Sequence, residues 1–141
     1  MKEKEHVPEN AVFCCFGCMS SVGTLTGVAT LEAYRRLDKE KNGLFCTSAI
    51  AAGVPKHRKT TDQAKTIIAI DGCYNKCTRK ILEHNGVRID KYLNLLSDLG
   101  IPKLGPFRPF DYSQEDLDRT VSEIVKLCDQ TANQSNQVSE R

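Results

Sequence analysis

Cys15-Phe-Gly-Cys18 and Cys73-Tyr-Asn-Lys-Cys77 are two closely spaced thiol pairs, with the short gaps that structural zinc sites favour. Cys46 falls between them in the chain. A zinc ion takes four ligands in a tetrahedron and binds cysteine as thiolate. Cys73 and Cys77, at i and i+4, would share one face of a helix's first turn. A helix N-terminus favours thiolate, because its backbone N–H dipoles point at the sulfur. Several thiolates around one divalent ion leave a net negative charge. Lys56, Arg58, Lys59, Lys76 and Arg79 are near enough in sequence to offset it.

The other candidates are weaker. Cys128 lies on the apolar face of the last predicted helix and reads as a core residue. Strand alternation turns Cys14 away from Cys15, so it also reads as core. His6, His57 and His84 read as solvated, with a metal or anion role for His57 and the basic run "PKHRK" as the lesser alternative. Asp71 either orients a metal-bound group or caps the following helix.

Both pairs sit at the same kind of joint, an apolar run followed by a turn and a helix. Val12–Cys15 suits a short buried strand. From Ser20 or Ser21 to about Lys41 the pattern is helical, with Val22, Leu25, Ala29 and Leu37 inside. Gly23 and Gly27 weaken that helix but permit close approach to a sheet. Asn42-Gly43 ends it, and "LFCTSAI" predicts a second strand ending near Cys46. "AAGVPKHRKTT" reads as a loop, with a helical turn over Thr61–Lys65. "TIIAI", Thr66–Ile70, is the clearest strand, a β-branched run typical of parallel sheets. A helix follows from about Tyr74 to His84, closed by Gly86. "KYLNLL" predicts a fourth strand. "GIPKLGPFRPFDY" reads as irregular, and Ser113 caps a final helix to about Cys128.

Strands alternating with helices predict an α/β fold: a three-layer sandwich with a mainly parallel, roughly four-stranded sheet and helices on both faces. Sites in such sheets form beyond the carboxyl ends of the strands. Cys15, Cys46 and Cys73 each fall at such an end, so the topology gathers them on one rim.

The chain has 141 residues, which suits one domain able to bury a core without cross-links. We place that domain at 11–128, between a flexible arm at 1–10 and a disordered polar tail at 129–141. A net charge of +2 gives no pull toward nucleic acid. No apolar run reaches the roughly 20 residues of a membrane span. The start "MKEKEHVPEN" has no hydrophobic stretch, so no secretory signal is expected. The expectation is a cytoplasmic protein, where clustered thiols serve metal or redox chemistry rather than a disulfide framework.

"IIAIDGCYNKC", with "CCFGCMSSVG" upstream and "FCTSAIAAG" between, resembles the DGC-domain proteins of bacteria and archaea. The resemblance covers roughly Val12–Lys103. Its most specific part is Asp71-Gly72-Cys73 with Cys77, followed by "KILEHNG". It implies zinc binding through four cysteines, which fall here on Cys15, Cys46, Cys73 and Cys77. Spacing adds Cys18 as a fifth candidate, ranked last. The family label names a metal and leaves the reaction and any protein partner open.

Three other readings compete. An iron–sulfur cluster would use the same cysteines. A dithiol reductase would relay oxidation among Cys15, Cys18, Cys73 and Cys77. A plain interaction module would hold metal for stability alone. A phosphatase-type loop is excluded, because it needs an arginine six residues after its cysteine, and Ser20 and Ser21 stand there.

Overall fold

The computed structural model describes residues 6–129. The strands are β1 (Asn10–Cys14), β2 (Asn42–Leu44), β3 (Thr66–Asp71) and β4 (Lys91–Asn94). The helices are α1 (Ser21–Arg36), α2 (Thr47–Ala51), α3 (Pro55–Gln63), α4 (Cys77–His84), α5 (Leu95–Leu99) and α6 (Gln114–Asp129). The four strands form one sheet in the order β2-β1-β3-β4, with every pairing parallel. Val12 pairs with Ile68, Cys14 with Ile70, and Asp71 with Asn94.

Side chains of a strand alternate between faces, and here both faces are covered. Val12, Ile68 and Ile70 pack with Leu25 and Ala29 of α1, Leu95 of α5, and Val121 and Ile124 of α6. Ala11, Phe13, Ile67 and Ala69 pack on the opposite face with Ile50 of α2 and Leu82 of α4. This is the expected three-layer α/β sandwich. Each fully buried Val, Leu, Ile or Phe side chain among these contributes roughly 1.5–3 kcal/mol.

Local differences from the sequence reading have definite causes. α1 stops at Arg36 rather than near Lys41, and Asn42-Gly43 opens β2 instead of closing the helix. Asn42 tolerates burial because its side-chain oxygen accepts from Asn10 Nδ2 at 2.8 Å. β2 ends at Leu44, and the residues after Cys46 coil into α2. The stretch read as a loop around Pro55 contains α3, with Pro55 in its first turn. Proline's fixed φ suits that position. The fourth strand breaks at Asn94, whose side chain accepts from the N–H groups of Leu96 and Ser97 and so starts α5. Ser113 caps α6 as expected, its hydroxyl accepting from Asp116 N at 3.0 Å.

Residues 1–5 of the expected arm and 130–141 of the expected tail lie outside the described residues. The Glu9 carbonyl accepts from Lys65 N and Thr66 N. No helix among the described residues is long and apolar enough to cross a membrane.

Candidate functional site

β1 delivers the first thiol. Its ladder continues one residue past the strand, where Cys15 N donates to Ile70 O at 3.0 Å. The chain then turns through Gly17, and Ser20 caps α1 by accepting from Gly23 N at 3.2 Å. β3 delivers the second and third thiols. Gly72 follows the strand and presses against α1. A Cβ there would stand 2.7 Å from Val22 O and 2.9 Å from Thr26 Oγ1, so only glycine lets the turn pass. Lys76 adopts a left-handed conformation, φ 52°. That delays α4 until Cys77, so Cys73 lies before the helix. The expected sharing of one helical turn by Cys73 and Cys77 is therefore not realised.

Cys15, Cys73 and Cys77 nonetheless line one cavity of about 380 Å³ at the carboxyl ends of the strands. Lys76 and Lys103 also line it, and Met19, Gly105 and Pro106 add wall. The far wall comes from the irregular segment before α6. Ser21 N donates to Leu104 O, and Leu104 N donates back to Ser21 Oγ, both at 2.8 Å. Phe107 N donates to Met19 O at 2.7 Å.

Burial pushes the Cys15 thiol up to about 11, opposed by a backbone N–H at Gly17. Negative charge on Asp71, Cys77 and Cys73 raises it further. Lys103 Nζ stands 3.6 Å from Cys73 Sγ. Asp71 is almost completely buried and both of its carboxylate oxygens are hydrogen-bonded. Oδ1 accepts from Thr78 N at 2.9 Å, while Oδ2 accepts from Arg79 N and Tyr92 OH at 3.0 Å each. Of the two roles open to Asp71 from sequence, the geometry supplies the cap on α4. Burial raises the Tyr92 phenol above its ordinary range, so it stays a donor.

The remaining candidates do not line this cavity. Cys46 is exposed at the start of α2, beyond the end of β2. Cys18 is exposed, and its thiol donates to Phe16 O at 3.3 Å. Cys14 packs toward the α1 side of the sheet, and Cys128 is buried in that core. All seven cysteines are free thiols. Among the described residues, no three His, Cys, Asp or Glu side chains stand together in a position to hold a metal ion.

Of the cations expected near the thiols, Lys76 lines the cavity. Arg79 instead lies over the Tyr92 ring, 5.0 Å from its centre, and Arg58 pairs with Asp62. Sequence reasoning missed Lys103, Tyr92 and Asn94. Tyr92 and Asn94 were hidden inside a predicted strand. Lys103 lies 30 residues beyond Cys73, and no local pattern ties the two together.

No curated protein and no solved structure matches the chain. The family profile described as the DGC domain matches residues 11–124, which takes in the sheet except Asn10, five complete helices and most of α6. The chain belongs to the DGC domain family.

Proposed function

We propose that this protein binds a thiophilic metal ion, zinc before others, through cysteine thiolates at the carboxyl edge of its sheet. The observation that supports this reading is the shared cavity: Cys15 and the Cys73–Cys77 pair come from two separate stretches of chain and line the same space. Soft sulfur donors suit zinc and related ions. The donor chemistry therefore fits the metal; the family resemblance adds Cys46 as the fourth ligand, and spacing keeps Cys18 as a fifth candidate, ranked last. The sulfurs are not gathered into a chelating group, so binding requires side-chain rotation and a shift of the exposed thiols. Such rotamer changes are fast in exposed residues. Lys76 and Lys103 supply positive charge against the thiolates.

The test is elemental analysis of anaerobically purified protein, wild type beside Cys73→Ser. About one equivalent of zinc in colourless wild-type protein, and much less in the variant, is the expected result. Visible absorption with bound iron would replace zinc by an iron–sulfur cluster.

One observation favours a second reading. Lys103 beside Cys73 offers a counter-charge to a sulfur anion, as thiol-redox sites do. A dithiol enzyme would copurify without metal and would form a reversible disulfide among Cys15, Cys18, Cys73 and Cys77.

A further inference from the structure

Asp71 and Asn94 are the final residues of β3 and β4 and are register partners. Both are buried, at 1% and 0% exposure. Burying a carboxylate and an amide side by side is costly unless their polar atoms are paired. Here the pairing runs to the segment that carries two of the cavity thiols. Asp71 takes the N–H groups of Thr78 and Arg79, the second and third residues of α4. Asn94 Nδ2 donates to the carbonyl of Cys73 at 2.8 Å. The same nitrogen donates to Tyr92 Oη at 3.0 Å, and Tyr92 in turn donates to Asp71 Oδ2. Leu96 N donates to Gly72 O at 3.2 Å. One continuous network thus grips the Cys73–Cys77 segment at both ends, using groups at the ends of β3 and β4 and in the first turn of α5.

We propose that Asp71, Tyr92 and Asn94 are positioning residues that set the spacing of Cys73 and Cys77 before any metal arrives, and that Asp71 is not itself a ligand. The inference rests on the metal-binding reading for its purpose, but the positioning itself is a property of the metal-free chain. Three of the roughly four acceptor sites of the Asp71 carboxylate are already filled. Asp71 also lines the cavity, but drawing its carboxylate onto a metal would strip the first turn of α4 of its cap. Partners of this kind, which orient ligands without touching the ion, typically change metal affinity 10- to 100-fold when removed.

The experiment compares wild type, Asp71→Asn and Tyr92→Phe by two measurements. The first is titration with Co²⁺, reading affinity and the ligand-field bands of the bound ion. The second is amide hydrogen exchange of the metal-free proteins at Thr78 and Arg79. Asp71→Asn should bind Co²⁺ about 10- to 100-fold more weakly with unchanged band positions, and should exchange both amides faster. Tyr92→Phe keeps the ring under Arg79 and should shift both readings the same way by less.

Shifted bands in Asp71→Asn would make Asp71 a ligand and overturn the proposal. So would wild-type affinity together with wild-type exchange. If Asp71→Asn does not fold, Tyr92→Phe decides by the same criteria. If wild type takes up no Co²⁺, the metal reading fails, and the exchange data alone decide the positioning.

Discussion

A Cβ placed on Gly23 would stand 2.0 Å from the carbonyl oxygen of Gly17. The first turn of α1 therefore lies directly beneath the loop that carries Cys15 and Cys18. Gly27, one turn later, faces the Phe16 ring, with the nearest ring carbon 2.2 Å from a built Cβ.

These two glycines should respond differently to alanine. Alanine in a helix gains roughly 0.5–1 kcal/mol over glycine. At Gly27 the obstacle is the half-exposed Phe16 side chain, which can swing aside, so Gly27→Ala should change stability by less than about 1 kcal/mol. At Gly23 the obstacle is backbone. Gly23→Ala should cost about 1–3 kcal/mol, as overpacking does, and should displace the Cys15–Cys18 loop. Denaturant unfolding of both variants, with alkylation rates of Cys15 and Cys18, checks the contrast. Equal losses at the two positions would contradict it.

On the proposed metal-binding reading, the fourth ligand can be assigned by subtraction. Cys46→Ser should lower zinc affinity by at least tenfold, whereas Cys18→Ser should leave it within about twofold. Competition against a chromophoric chelator gives both values. The reverse ranking would move the ligand from the α2 end to the β1 loop.

Metal removal should not unfold the domain. Phe13, Ile67 and Leu82 on one face, and Leu25, Ile68 and Ile124 on the other, are fully buried, and the partly buried Cys73 adds only a contact at the margin of this core. After chelation, far-ultraviolet circular dichroism should be retained and Tm should fall by the metal's linkage contribution. Amide exchange should rise around 15–18 and 73–77. A chelated protein with a random-coil spectrum would show that the ion is needed for the fold.

Alkaline pH should expose the buried thiol of α6. Burial pushes Cys128 up to about 12, with Asp129 adding to the shift and Lys91 opposing it. In the unfolded chain a thiol ionises near 8.5. Between those values the unfolded state has released a proton that the folded state keeps, so stability falls as pH rises through that window. The loss from Cys128 alone reaches about 2 kcal/mol by pH 10. Lys91, whose pKa burial lowers, contributes in the opposite sense below the ordinary lysine value. Comparing wild type with Cys128→Ala at pH 7.5 and 10 isolates the thiol. The wild type should lose more stability over this interval than the variant.

The layers of this fold were legible because they follow from periodicity. The β-branched run at Thr66–Ile70 and the apolar face of α6 each state their burial locally. What escaped was set by single side chains reaching out of register. Asn94 turned a predicted strand into a helix start, and Pro55 opened a helix where proline read as a loop. The rim position of Cys15, Cys46 and Cys73 was readable from topology. Their division into cavity-lining Cys15 and Cys73 and exposed Cys46 was not, because it depends on a left-handed Lys76 and on a wall from the distant 104–107 segment. Lys103 came with that wall, and nothing near the cysteines in sequence announces it.

The reciprocal bonding of Ser21 with Leu104 has a consequence for biosynthesis. Every cavity cysteine is translated before the segment that encloses it. A chain that has been made only as far as residue 100 lacks both that wall and α6, so the cavity is completed only when the later segment has bonded back to Ser21.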